Sequence, residues 1–546
     1  MPRKHRPPRT REPKACRACA HAKVRCEGTT QDGGACKRCL RLKKDCTMQL
    51  PGVHKRVGPR PSDVARLEEK LSDVAAVVTA SRRPLLNASA DGGTTFIIRQ
   101  SIFADISNEE AQGILHKFQT EMALYFPFVA VPPDATASEL RQSKPFLFCT
   151  MVMVSCLDDT DRQLDMAHSI REWIGSAIVT RGEKGLDLLQ GLLVCLGWYH
   201  LQLELGSQIR SVLHLSLAML SDLGLNRRPS LMRRILPLES FPADYERKTT
   251  HRTLDERRTY LGCFYMSAID FDPMNYTDYT EECCHAVEQA AQHPNDLYLV
   301  HLVRLHRISG SIRRIDCSQI DPPGFTSAPI PTRVKAVEAE LRHFKPCPPN
   351  TLHDSLLLLQ YHNLEISLYE IALEDDFLTE VASNSERANV LLSCLAATRT
   401  FFDVFSSIPP RQYPSLPYPA YAAHSHALGT LSSKLLLFAG EGWDLEYARS
   451  TVDLHAAVDT LIAGIEEEIM APHDGQLAFR FPDALAKMTP RLRAFGENHR
   501  KRRSALRTKS SEQSLDKDSA AASGDDVQDI MCPLPHGLSW RFFQPP

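Results

Sequence analysis

No stretch of this 546-residue chain is expected to span a membrane. The nearest, Leu188 to Leu203, is short and interrupted by Gln190, His200 and Gln202, so it is expected to be a buried helix. The opening run Met1-Pro-Arg-Lys-His-Arg-Pro-Pro-Arg9 has no apolar stretch to serve as a secretory leader. A reducing compartment is therefore expected, and the 16 cysteines should hold metal or pack rather than form disulfides. The familiar catalytic patterns are missing as well. There is no G-x-S-x-G, no H-E-x-x-H, no phosphate loop and no G-x-G-x-x-G. An enzyme has no support in the chain. Net charge is small, −2, which argues against a polyanion binding the whole surface. That balance hides a division: residues 1–60 hold 17 Lys/Arg against 4 Asp/Glu, and the rest holds 47 against 62.

What is present near the start is a pattern written twice. Cys16-Arg-Ala-Cys19-Ala-His-Ala-Lys-Val-Arg-Cys26 is followed by Cys36-Lys-Arg-Cys39-Leu-Arg-Leu-Lys-Lys-Asp-Cys46. Each reads C-x2-C-x6-C, a spacing at which thiolates chelate zinc. A structural zinc takes four ligands. Six cysteines fill one site with two left over, or two sites if two sulfurs bridge. The duplication favours the second arrangement. Each C-x2-C should open a short helix, and the third cysteine should close its site. So short a segment buries too little apolar surface to fold alone, so metal must supply the folding free energy. The lysines and arginines between the cysteines suit a polyanion. His21 is read as a solvated residue of the first short helix.

Residues 16–46 resemble the fungal binuclear zinc cluster, the Zn2Cys6 DNA-binding domain; the full spacing C-x2-C-x6-C-x9-C-x2-C-x6-C falls within that family's pattern. The resemblance implies two Zn2+ ions. Cys16 and Cys36 would bridge them, Cys19 and Cys26 completing one site and Cys39 and Cys46 the other. It implies double-stranded DNA as partner, with a CGG-type triplet read in the major groove by Lys23, a cation suited to the acceptors on guanine. Arg25, Lys37, Arg38, Lys43 and Lys44 are expected on phosphates, and Arg17 with them at the DNA. Two positions depart from the family's habit: Ala20 stands where Arg is common, and Gly33-Gly34-Ala35 stands where a proline often precedes the fourth cysteine.

The expected organisation is all-α. A basic arm (1–14) leads into the zinc cluster (15–47) and a basic, Pro/Gly-containing linker (48–62). Residues 63–79 follow as a short coiled coil on the a/d seam Val64, Leu67, Leu71, Val74 and Val78, implying a homodimer. A second linker (80–103) precedes a large helical regulatory domain (104–498). There Leu189, Leu192, Leu193, Leu196, Tyr199 and Leu203 form one apolar stripe. Ser207 is a candidate cap for the next helix, which should stop at Gly224. Leu357, Tyr361, Leu364, Leu368 and Ile371 form another stripe. Residues from about Phe118 to Asp270 resemble the helical middle homology region of the same family, on Tyr125-Phe-Pro-Phe-Val-Ala-Val-Pro-Pro133, Lys144-Pro-Phe-Leu-Phe148, Leu188-Leu-Gln-Gly-Leu-Leu-Val194, Asp222-Leu-Gly-Leu-Asn226 and Arg257-Arg-Thr-Tyr-Leu-Gly262. That likeness implies regulation and a small-molecule effector. Trp173, Trp198 and Tyr199 are candidates for an effector pocket or for the core. Cys283-Cys284-His285 is read as packing, since no second ligand pair stands near it. A disordered tail (499–546) holds Arg500-Lys-Arg-Arg503, a candidate import signal, and an acidic, aromatic final segment suited to activation. These features together lead to a nuclear, zinc-dependent regulator of RNA polymerase II transcription, working with the transcription machinery and not with membranes. Its target is expected to be a secondary-metabolite or stress-response gene set, with repression as the alternative to activation.

Overall fold

The structure, a computed structural model, describes residues 15–26, 35–47, 103, 106–157, 159–206, 208–229, 252–270, 274–316, 328–344, 351–373, 384–438, 442–470 and 483–515. The coil expected at 63–79, both linkers, the arm and residues 516–546 lie outside them. The chain divides into two units, Met1–Thr94 and Thr95–Pro546. In the first, the described helices are α1 (Arg17–His21) and α2 (Lys37–Arg41). The second is helical throughout its described residues, with no β-strand.

Two helices of the second unit are buried on nearly every side. In α3 (Pro145–Ser155) every residue from Phe146 onward is buried. In α4 (Leu186–Gly197) burial runs from Leu188 to Gly197. A helix that is apolar all round belongs in a core. Pro145 begins α3 where no intrahelical donor is needed. The Asp187 carboxylate caps it instead, accepting from the Phe146 and Leu147 amides at 3.1 and 2.8 Å. After α4 the chain turns into a 3-10 segment, Tyr199–Leu205. The next helix, α5 (Ile209–Asp222), starts after Gln208, which makes no side-chain cap bond; Ser207 is outside the described residues. It ends as expected: Gly224 takes φ +65, and the amides of Gly224 and Leu225 bond back to Ser221 and Leu220.

The segments that carry the regulatory-domain likeness meet in space. On α6 (Leu254–Asp270), Gly262 lies against Phe128 and Leu193. A Cβ built there would fall 2.7 Å from Phe128 Cβ and 3.0 Å from Leu193 Cδ1. Phe128 in turn stacks on Tyr265 with centroids 5.0 Å apart. Gly262→Ala is therefore expected to overpack this junction and lower stability by about 1–3 kcal/mol. Urea denaturation of the full chain measures it, and an unchanged midpoint would contradict the close approach.

Polar groups buried at the same junction are paired. Arg258 on α6 and Asp296, first residue of α7 (Asp296–Asp316), are 1% and 3% exposed. They form a bidentate pair at 2.9 and 2.9 Å. Gln292 accepts from both terminal guanidinium nitrogens at 3.3 Å, and the His293 amide donates to Asp296 at 2.9 Å. Lys144 joins from the start of α3, donating to Gln190 at 2.9 Å and meeting Asp255 at 3.4 Å.

Further along, α8 (Ile330–His343), α9 (Leu352–Tyr369) and α10 (Asn384–Ser406) continue the bundle, α9 packing along α10. By length and composition α10 is the described helix that passes a membrane-span test. Its burial is one-sided, though: Leu391, Leu395, Phe401, Phe402 and Phe405 face the core, while Arg399 and Asp403 pair on the exposed side. This is the pattern of a helix on a globular core. The last helix, α11 (Met488–Leu515), runs through Arg500–Arg503. The tail expected from residue 499 is thus moved: 499–515 is helical.

Candidate metal and nucleic-acid site

Both halves of the first unit are built alike. Cys16 is the N-cap of α1, and its Sγ accepts the Cys19 amide at 3.4 Å. Cys36 caps α2 in the same way, accepting from Cys39 at 3.5 Å. The x2 spacing thus puts the second sulfur one turn along, beside the first. Cys16 Sγ lies 3.9 Å from Cys36 Sγ and 3.7 Å from Cys39 Sγ, and Cys19 Sγ lies 3.7 Å from Cys36 Sγ. Sulfurs on a tetrahedral zinc with bonds of about 2.3 Å sit about 3.8 Å apart. The six thiols fall into two quartets whose sulfurs lie within 4.8 Å of one another: Cys16, Cys19, Cys26, Cys36 and Cys16, Cys36, Cys39, Cys46. Cys16 and Cys36 belong to both. No other such group of three or more His, Cys, Asp or Glu occurs among the described residues. Cys283 and Cys284 are instead buried on one helix, Asp278–Ala290, with His285 exposed.

The shared sulfurs are also the most acidic. The amide of Cys39 pulls the Cys36 thiol down to about 6, and the amide of Cys19 lowers Cys16 likewise. Burial pushes the Cys19 thiol up to about 11. A bridging thiolate donates to two cations, so ease of deprotonation is wanted most at these two positions.

Each helix ends in the same backbone device. Lys23 and Lys43 take φ +51 and +49, the left-handed region. Val24 N–H reaches back to Cys19 O at 3.2 Å and Lys23 N–H to Ala20 O at 3.1 Å; Lys44 and Lys43 repeat this on Cys39 and Leu40 at 3.0 and 3.3 Å. These are Schellman caps, with lysine where glycine is usual. A left-handed non-glycine residue stores of order 1 kcal/mol of strain. Lys23 and Lys43 stand at the same place in the two repeats, after Cys19 and Cys39, and nothing in the sequence marks this conformation. The two halves are tied by Arg17 N–H to Thr47 O at 2.9 Å, and the second half is closed on itself by Cys36 N–H to Cys46 Sγ at 3.3 Å.

Eight guanidinium and ammonium groups and one carboxylate, Asp45, belong to the described residues of this unit. Arg17, Lys23, Arg25, Lys37, Lys43 and Lys44 are exposed. Arg38 is not: it is half-buried, with Nη1 4.0 Å from Cys19 Sγ, so its charge faces the sulfurs. Arg41, exposed at the end of α2, joins the basic surface and was not singled out from the sequence, where nothing in the spacing distinguishes it. The loop between the halves, with Gly33 and Gly34, is outside the described residues.

In the second unit Trp198 is core, and half-buried Trp173 packs against that core. Trp198 is fully buried, edge-on to Phe118 and Phe126 at 5.6 and 5.7 Å, and Trp173 meets Phe146 at 5.1 Å. Tyr199 is 1% exposed. These three residues pack rather than line a pocket.

The geometry defines a class: a small cysteine cluster that fits a zinc cluster, basic on its surface, on a chain whose other described residues form helices and no strand. Its curated relatives are fungal transcription factors. The chain is 28% identical to "Transcription factor opdL" of Penicillium oxalicum over 466 residues, 81% of each chain. It is 29% identical to "Transcription factor himD" of Aspergillus japonicus over 422 residues, 73% of this chain and 69% of the relative. A more distant likeness, 20% over 340 residues, is to "Transcriptional regulator WAR1" of Candida albicans, covering 60% of this chain and 35% of that one. No family model matches the chain.

Proposed function

We propose that the protein is a zinc-dependent, sequence-specific regulator of RNA polymerase II transcription, acting in the nucleus as a homodimer on CGG-type half-sites. The observation that carries this reading is the pair of sulfur quartets sharing Cys16 and Cys36, set in a surface of exposed cations. Two Zn2+ ions, one per quartet, hold α1 and α2 against each other. They supply the folding free energy that the segment lacks. With the cluster formed, Lys23 leaves the end of α1 at a fixed angle set by its left-handed backbone. Its ammonium reads guanine acceptors in the major groove. Arg17, Arg25, Lys37, Lys43 and Lys44 hold phosphates, which orient the cluster without choosing sequence. Arg38 steadies the Cys19 sulfur instead. Dimerisation through 63–79 would place two clusters on paired half-sites. The helical second unit controls output, and the names of the relatives support regulation as its purpose.

Lys23 supplies the test. Lys23→Gly relieves the left-handed strain and keeps the cap, so metal content and cluster folding are expected to hold. Preference for CGG-type over scrambled DNA is expected to fall by about 1–3 kcal/mol, leaving weak, salt-sensitive binding. Fluorescence anisotropy with full-length protein on both duplexes measures it. Preserved preference in Lys23→Gly would remove Lys23 as the reader.

A further inference from the structure

A cleft of about 570 Å³ opens on the second unit between α6, the Met274–Tyr276 segment, α7 and α8. That volume suits a drug-sized molecule. Its chemistry is two-sided. Half-buried Met274 and Tyr276 give an apolar corner; Phe264 lies buried beneath it, edge-on to Tyr276 with centroids 5.6 Å apart, and the Arg307 guanidinium lies 5.8 Å from the Tyr276 ring centroid. The other wall comes from one face of α7. Arg307 pairs with Glu340 at 3.1 Å, so those two charges offset each other. Arg314, one turn past Gly310, donates to the Ser311 hydroxyl at 2.9 Å and leaves the cationic character of this wall in excess.

Gly310 stands in the middle of α7, between these features. A glycine inside a helix costs about 1 kcal/mol relative to alanine. Here neither of the usual reasons applies: its φ is not positive, and no neighbour crowds it. A Cβ built there would meet only Arg314 Nη1, at 3.8 Å. What the missing side chain does is leave the cleft clear beside a guanidinium.

We propose that this cleft binds an aromatic organic anion, its ring against Met274 and Tyr276 and its carboxylate or sulfonate against Arg314. An apolar pocket with one placed cation binds such a molecule by burying its ring and making a charge-assisted hydrogen bond to its acid group. Bound there, the ligand bridges α7 and the Met274–Tyr276 segment that follows α6 and biases how they sit, which is how an effector acts on a regulatory body. Only this consequence rests on the transcriptional reading; binding itself does not.

The test uses full-length protein and two probes, naphthalene-2-carboxylate and the neutral naphthalene-2-carboxamide, by isothermal titration. The carboxylate is expected to bind at least about tenfold more tightly than the amide, a gap of about 1.4 kcal/mol. Arg314→Gln should erase that preference while keeping amide binding. Gly310→Leu fills the cleft without a backbone penalty and should weaken both probes at least about tenfold, with an unchanged or higher melting temperature. Undiminished binding in Gly310→Leu would overturn the location. Equal affinity for both probes in the unaltered chain would overturn the anionic class, and no binding of either would overturn the site. DNA binding measured on the same samples separates the two readings. A Gly310→Leu protein that still prefers CGG-type DNA but loses the probe tells against neither, and loss of DNA preference in unaltered protein counts against the transcription reading alone.

Discussion

Full-length protein carrying Cys36→Ser is expected to lose both metal ions and all specific DNA binding, whereas Cys46→Ser loses one ion. The asymmetry comes from membership in the quartets. Cys36 belongs to both and Cys46 to one. Cys36 is also the N-cap of α2 and the thiol most readily ionised, at about 6. A structural zinc site is worth about 10–16 kcal/mol in apparent binding free energy near neutral pH. Serine is a far poorer ligand than thiolate, so losing one shared sulfur removes a quarter of the donors from both ions. Among its described residues the unit has no apolar core to fall back on: its buried cluster is Cys16, Cys19, Cys36 and Cys39, and Leu40 is 71% exposed. Metal content per chain after gel filtration under reducing conditions measures the difference. If Cys36→Ser retained as much metal as Cys46→Ser, the sharing would be wrong.

Arg258→Met should be the most damaging single change in the second unit. It leaves Asp296, 3% exposed, as a buried carboxylate without its cation. Breaking a buried pair from one side costs about 3–5 kcal/mol, because the remaining charge is desolvated and uncompensated. The His293 amide remains as a donor, but one amide does not replace a bidentate guanidinium. Arg258→Met with Asp296→Leu removes the orphaned charge and is expected to recover most of the loss. Urea midpoints of the two variants decide it. A double variant as unstable as the single one would mean that Arg258 matters for packing and not for charge.

The parts that were readable from the sequence are those whose cause is local. A metal quartet needs sulfurs at fixed short intervals, so C-x2-C-x6-C announces itself. Apolar stripes likewise announce helices, and Asp222-Leu-Gly-Leu-Asn226 carried its own stop signal, which Gly224 fulfils. The left-handed Lys23 and Lys43 were hidden because sequence points to glycine or asparagine at that cap, and here the turn that carries the chain from Cys19 to Cys26, and from Cys39 to Cys46, overrides the preference. Arg258 and Asp296 lie 38 positions apart, and nothing in either neighbourhood announces the other. Arg38 looked like any exposed arginine until the helix placed it beside a sulfur. The cleft was out of reach for the same reason: Gly310, Arg314 and Tyr276 become neighbours only through the packing of separate helices.

A unit whose interior is cysteine sulfur does not have a stability of its own in the usual sense. On the proposed function its stability is set by mass action, the folding free energy growing with the logarithm of free metal above the dissociation constant. The helical unit, held by apolar burial and paired polar groups, obeys temperature and denaturant instead. The two parts of one chain therefore answer to different variables. On the proposed function, scarcity of zinc is expected to leave a chain with an intact body and no DNA reading, still able to occupy whatever partners the body recognises.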